Sequence, residues 1–302
     1  MKVLITGGTN GMGKGVAKVL ADADNQAHEI VILCRSKELG EALIKELNDE
    51  TSNNKISIIL CDLTKFSDVK RAIIEMYEKH EFLDGIFINA GLGYAAKRIE
   101  TEDGFDAHFQ VNYLSQFMLT LNLLDLLKKS KKGGRVIFNV TRRGEIFWDD
   151  MQMEKKWSYE RGIHQAMVAK RMLLVKLHRM FREIEDSKIS FIGFEISKTV
   201  WSNQINIIPG YMRIMVTLMK FFGTFISIEE CGRIMKPLFV ESQQDSLKRS
   251  GTFITWKKNQ FMDIKEDLAV LNKEMQDKLW KISLELCADE KTNQIAESFQ
   301  NR

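Results

Sequence analysis

Proline is almost missing from this chain. Pro209 and Pro237 are the two among 302 residues, so no Pro-rich boundary divides it. Cysteine is sparse too. Cys34, Cys61, Cys231 and Cys287 form no CxxC and no His/Cys cluster, which excludes a zinc-site pattern and a disulfide framework; no metal is expected. Reduced thiols of a cytoplasmic protein are expected instead, with Cys34 and Cys61 packing as small hydrophobes. Charge of one sign is not in excess: 44 basic residues face 41 acidic ones, for a net +3. No basic block stands out, so nucleic acid is not an expected partner. A clean membrane span is also lacking. The most hydrophobic late stretch, residues 205–228, is interrupted by Arg213 and Lys220, which leaves peripheral membrane contact as an alternative. The apolar residues 1–5 run straight into glycines without a cleavage-type region, unlike a secretory signal.

What is present is an ordinary globular balance, 44% hydrophobic and 28% charged, long enough to bury a large core. Short apolar runs alternate with helical patterns. Strands are expected over 2–6, 29–34, 55–61, 85–89, 135–140, 190–196 and 250–255. Helices are expected over 13–23, 36–49, 67–78, 105–129 and 165–185. That alternation predicts βαβ units with right-handed crossovers, and continuous apolar strands fit a sheet covered on both faces. The expected fold is α/β: one Rossmann-type, doubly wound parallel sheet of about seven strands with helices on both faces. Residues 1–302 read as a single dinucleotide-binding domain. Residues 199–230 read as a lid over the substrate cleft, and 260–302 as a C-terminal helical appendage.

The first strand runs into Thr6-Gly7-Gly8-Thr9-Asn10-Gly11-Met12-Gly13 and then a helix. One glycine allows the sharp turn, another a close approach to pyrophosphate, a third tight helix–strand packing. The phosphates then meet free N–H groups at a helix N-terminus. After strand two stand Cys34, Arg35, Ser36 and Lys37, where NAD-binding folds usually place a carboxylate for the ribose. Arg35 and Lys37 suit a 2′-phosphate, which favours NADP(H); the alternative is a solvated helix start.

With these residues assembled, the chain resembles the short-chain dehydrogenase/reductase family. Gly7, Gly11 and Gly13 match its TGxxxGxG turn. Asp62-Leu63 looks like its adenine contact, Asn89-Ala90-Gly91 like its NAG motif, and Asn112 like its helix-four asparagine that helps hold a proton-relay water. Residues 110–120, 148–155 and 278–286 resemble the retinol-dehydrogenase and protochlorophyllide-reductase branch. The resemblance implies an NADP(H)-dependent oxidoreductase, with Thr9, Asn10, Met12, Arg35 and Ser36 among the cofactor contacts. It leaves a homodimer open.

The family's chemistry uses a serine, a tyrosine and a lysine four residues after the tyrosine. Lys170 fits the lysine, as ribose contact and catalytic residue, but Ala166 stands where the tyrosine belongs. Thr141 and Arg142 replace the paired serines. The PGxVxT loop aligns with residues 197–202 without Pro-Gly, and Ser202 remains a candidate nicotinamide contact. Candidate substitutes are His164, with a pKa suited to proton transfer, Tyr159, placed in a polar loop that would fold over the cleft, and the Thr141 hydroxyl. Each has a plain surface or packing alternative. Arg142 and Arg143 would bind an anionic substrate or remain solvated, and the Met-rich stretch 211–225 would cover an apolar ligand. Two functions follow. One is an NADP(H)-dependent oxidoreductase with an atypical site, acting on a carbonyl, alcohol or activated double bond of an apolar small molecule. The other is a non-catalytic NADP(H)-binding sensor or scaffold.

Overall fold

A computed structural model describes residues 1–22, 28–141, 144–200 and 225–300. The apolar runs form β1 (Lys2–Thr6), β2 (Glu29–Cys34), β3 (Ile56–Leu60), β4 (Gly85–Ile88), β5 (Arg135–Asn139) and β6 (Ser190–Glu195). Later come the short β7 (Thr199–Val200) and β8 (Phe225–Ile226), then β9 (Phe253–Lys257) and β10 (Gln260–Asp263). One eight-stranded sheet has the order β10-β9-β6-β5-β4-β1-β2-β3, with β7 and β8 pairing separately. Every pair in the large sheet is parallel except β10 on β9. The seven parallel strands are those read from the sequence. The antiparallel edge strand β10 was not anticipated, because its residues are mostly exposed and carry no buried run.

Helices cover both faces. On one lie α1 (Gly11–Ala21), α2 (Lys37–Thr51) and α7 (Ile228–Val240), packed over Ile5, Ile32, Phe87 and Ile137. On the other lie α3 (Phe66–Lys79), α5 (Ser115–Lys128), α6 (Tyr159–Arg182) and α10 (Lys273–Cys287), over Leu4, Ile86 and Phe138. Alternate strand residues thus feed opposite cores, as the period of two requires. Shorter helices are α4 (Ala107–Phe109), α8 (Gln243–Lys248), α9 (Leu268–Leu271) and α11 (Glu290–Gln300). The stretch 260–302 therefore opens with a strand and turns helical from Leu268.

The helix expected over 105–129 is not continuous. A π turn, Gln110–Leu114, separates α4 from α5. The helix expected from 165 starts six residues earlier, because the Ser158 hydroxyl caps it by accepting from Arg161 N–H at 3.2 Å. Tyr159 is thus the first helical residue of α6, not part of a loop, and His164 is also within the helix. Where strand order reverses, β1 lies between β4 and β2. The crevice at the carboxyl ends of β1 and β4 is where such sheets bind ligands.

Candidate active site

Two glycines of the first turn carry positive φ, Gly7 at 67° and Gly11 at 54°, a region other residues avoid. A Cβ on Gly13 would collide with the Gly7 carbonyl and lie 2.7 Å from Asn89 Nδ2. Asn10 caps α1, its side chain accepting from Gly11 N–H at 2.8 Å. Thr9, Asn10 and Gly11 are half-buried, while Met12 and Gly13 are buried. The first N–H groups of a helix lack partners within it and favour an anion.

Thr6 and Asn89 knit this turn to β4. The Thr6 hydroxyl donates to the Phe87 carbonyl and accepts from Asn89 and Ala90 N–H, at 3.1, 2.8 and 2.9 Å. Asn89 Nδ2 reaches the Thr6 and Gly7 carbonyls at 3.1 and 3.3 Å, and its Oδ1 accepts from Asn139 Nδ2 at 3.2 Å. The Asn139 carbonyl in turn accepts from Lys170 Nζ at 3.4 Å. One polar chain thus runs from the glycine turn across β4 and β5 to α6. Lys170 is fully buried with no carboxylate partner among the described residues, and burial lowers its pKa to about 7.

Beyond β2, Arg35 is exposed and makes no ion pair among the described residues. Ser36 caps α2, accepting from Leu39 N–H at 3.2 Å, and the β2 end carries no carboxylate before Glu38. Asp62 Oδ1 accepts from the Thr64 N–H and hydroxyl at 3.0 and 2.8 Å, and the Leu63 carbonyl accepts from Ser115. Arg35, Ser36, Asp62 and Leu63 therefore flank the ends of β2 and β3.

Asn112 sits in the π turn and clamps the loop beyond β4. Its Oδ1 accepts from Leu92 N–H at 2.7 Å, its Nδ2 reaches the Leu92 carbonyl at 3.4 Å, and a Cβ on Gly91 would lie 2.9 Å from Oδ1. Gln116, a residue the sequence reading passed over, completes the clamp. Its Nε2 donates to the Ala90 and Val111 carbonyls at 2.5 and 2.8 Å. A π turn frees carbonyls from the helical ladder, and only such three-dimensional bookkeeping reveals the need for Gln116.

The catalytic substitutes separate. At 1.5 Å per residue, Tyr159 starts α6 roughly 16 Å from Lys170 along the axis, though only about 20° around it. Tyr159 packs its ring on Tyr94 and His108, with centroids 5.3 and 5.6 Å away. His164 is turned about 120° from Lys170, and the Gly144 backbone lies against it. Neither stands in the position that Ala166 vacates. The Thr141 side chain is exposed, and its carbonyl accepts from the buried Arg171 at 3.2 Å. Arg171 also makes a bidentate pair with Glu266. Ala166 itself has no exposed surface and belongs to the core. Its neighbour Gln165 ties the loop beyond β5 to α6, accepting from Phe147 N–H and donating to the Met151 carbonyl, at 2.9 and 2.8 Å. Arg142, Arg143, Ser202 and the 211–224 part of the Met-rich stretch lie outside the described residues.

Sheet order and glycine turn define a doubly wound α/β protein of the Rossmann kind. Residues 1–149 match the model of the short chain dehydrogenase family. Human polyprenol dehydrogenase is 30% identical over 183 residues, 59% of this chain and 54% of that protein. Human retinol dehydrogenase 13 is 31% identical over 172 residues, 55% of this chain and 50% of that protein. The chain spans about half the length of the curated relatives it matches. Among solved structures, an uncharacterised protein of Mycobacterium paratuberculosis superposes with a TM-score of 0.68 at 20% identity, covering 96% of this chain and 94% of that one. The NADPH-bound carbonyl reductase of chicken fatty liver gives 0.61 at 20% identity, covering 86% of this chain and 98% of that one. These likenesses establish the fold. Among the described residues, no helix is long and apolar enough to cross a membrane.

Proposed function

We propose that the chain is an NADP(H)-dependent oxidoreductase whose proton donor is not the family tyrosine. Lys170 carries this reading. A fully buried amino group whose one hydrogen bond among the described residues is to a carbonyl at 3.4 Å is held at a cost that a ligand hydroxyl or phosphate would offset. The residues present fit a nicotinamide dinucleotide. The Gly7–Gly13 turn and the α1 N-terminus would hold the pyrophosphate, Arg35 and Ser36 a 2′-phosphate, Asp62 and Leu63 the adenine, and Lys170 the nicotinamide ribose. The bound cofactor supplies the hydride. The chain's own residues orient the acceptor and exclude water. Asn112 and Gln116 fix the loop Asn89–Leu92 beside the crevice.

The substrate proposed is an apolar alcohol, carbonyl or activated alkene. Beyond Lys170 the same face of α6 carries Met167, Ile163 and Tyr159, all partly exposed, which lines a long apolar approach. Relatives named for polyprenol and retinol act on molecules of that shape. The test is steady-state loss of NADPH absorbance over a panel of apolar aldehydes, ketones and enones. Turnover on one supports the reading; tight NADPH binding with no turnover on any overturns it.

The sealed methyl of Ala166 favours one competing reading, a nucleotide-binding sensor without chemistry. That reading expects NADPH to raise the melting temperature while a partner protein binds differently with and without it. Liposome flotation and light scattering address the membrane contact and homodimer left open by the sequence.

A further inference from the structure

The loop beyond β4 and the first turn of α6 touch through two aromatic rings. Tyr94 follows Asn89 in that loop, and its ring centroid stands 5.3 Å from that of Tyr159, with the planes tilted by 60°. Tyr159 also meets the His108 imidazole nearly edge-on, at 5.6 Å and 67°. Tilted and edge-on contacts of this kind are favoured between aromatic rings. Both tyrosines keep part of their surface exposed, whereas His108 keeps none.

Neither ring is loosely held. Just before Tyr94, Asn112 grips both backbone groups of Leu92, at 2.7 and 3.4 Å, and His108 Nε2 donates to the Gly93 carbonyl at 2.9 Å. Beyond Tyr94, Ala95 is buried and Arg98 Nε donates to the Gln152 carbonyl at 2.9 Å. On the other side Tyr159 follows the Ser158 cap directly, which fixes its backbone in the first turn of α6. His108 thus serves both partners: one nitrogen holds the Tyr94 loop, and its ring packs on Tyr159. Burial raises the pKa of the Tyr159 phenol, with the Glu160 carboxylate adding to it. That moves the hydroxyl away from the neutral range that proton transfer needs, and leaves the ring as what this position uses.

The position of the pair along α6 gives it a role. Lys170, Met167, Ile163 and Tyr159 fall within an arc of about 80° around the helix. Lys170 marks one end of that stripe through its bond to the Asn139 carbonyl at the tip of β5. Tyr159 ends it roughly 16 Å nearer the helix N-terminus, and there Tyr94 comes across from the β4 loop to meet it. We propose that Tyr94 and Tyr159 form the far wall of the substrate approach and set the longest apolar carbonyl compound that the site admits. That role rests on the function proposed above. A substrate with its carbonyl at the Lys170 end runs its chain past Met167 and Ile163, and the wall stands where an extended chain of roughly 16 Å stops. Shorter chains gain from every methylene they bury, while a longer one must fold back or part the two rings. In an apolar pocket a misfit of one methylene is worth on the order of 10-fold in specificity.

Two measurements test this. The first is kcat/KM of the full chain with NADPH over straight-chain aldehydes from hexanal to hexadecanal. Wild type is expected to improve with length up to a cut-off and to worsen beyond it. Tyr94→Ala removes one ring from a partly exposed loop position. It is expected to raise kcat/KM for aldehydes beyond the cut-off about 10-fold or more, mainly through KM. Tyr94→Phe keeps the ring and is expected to keep the cut-off. One length profile shared by all three chains overturns the wall. The second measurement is calorimetric binding of octanol, dodecanol and tetradecanol, which needs no turnover. If wild type reduces no aldehyde, the proposed function falls. A Tyr94→Ala chain that then binds the longest alcohol more tightly than wild type still supports the wall; equal affinities, or no binding of any alcohol, overturn it.

Discussion

Asn139 donates through Nδ2 to Asn89 at 3.2 Å and accepts through its carbonyl from Lys170 at 3.4 Å. One residue at the end of β5 therefore ties the glycine turn to the buried Lys170 of α6. The bond needs both amides. Asn139→Ala leaves Asn89 Oδ1 without its donor and is expected to cost about 1–3 kcal/mol in urea unfolding, while weakening NADPH binding in calorimetry, because the Asn89 grip on the Gly7 carbonyl loosens. Equal affinity in mutant and wild type would show that Asn89 holds the turn unaided.

Lys170 gives a pH prediction with a defined sign. Burial lowers its pKa from 10.5 to about 7. Between those values the unfolded chain binds a proton that the folded chain does not, so stability rises with pH across that window. The contribution is complete above the unfolded value and lost as pH falls through about 7. Lys170→Met should flatten this slope and raise stability at neutral pH. A ligand oxygen beside Nζ favours the charged form, so NADPH binding near pH 8 should take up a proton. Calorimetry in buffers of differing ionisation enthalpy reads that uptake; identical heats in all buffers would place the amino group away from the ligand.

Much of this was legible in the sequence. The strands reveal themselves because they are buried on both faces and read as unbroken apolar runs, and the glycine turn is local in sequence. The cofactor half of the site is local in the same way: Gly7, Asn89 and Asn112 each sit at a fixed offset from a strand or within one helix. The catalytic half is not. Tyr159 was read as a loop residue because Trp157-Ser158-Tyr159-Glu160 is polar, although a serine followed by an acidic residue is equally a helix start. Gln116 depends on a carbonyl within a π turn and on the loop beyond β4, which no periodicity reports.

The closest helix contact on the α1 face is backbone to backbone. A Cβ on Gly232 of α7 would collide with the Gly15 carbonyl of α1, and one on Gly15 with the Ile228 carbonyl. Gly232→Ala must therefore push α7 off the nucleotide helix. The expected cost is about 1–3 kcal/mol, and on the proposed function NADPH affinity should fall with it, because the α1 N-terminus would hold the pyrophosphate. Substituting Gly104 is the control on the glycine itself: nothing lies within 4 Å of an added Cβ there, although its φ of 84° still carries backbone strain.

Restoring the family tyrosine is the sharpest test of how far the site has changed. If the vacant position were an open slot, Ala166→Tyr would return a phenol one turn from Lys170 and raise turnover. The structure gives the opposite expectation. Ala166 has no exposed surface and lies within the core, and its neighbour Gln165 pins the loop beyond β5 at Phe147 and Met151. A phenol ring there must displace core neighbours or strain α6, and overpacking of this kind costs about 1–3 kcal/mol or more. Ala166→Tyr should therefore lower the unfolding midpoint and leave NADPH oxidation no faster than wild type. A stable, faster Ala166→Tyr chain would mean that the loop opens readily and that the proton path still runs through the ancestral position.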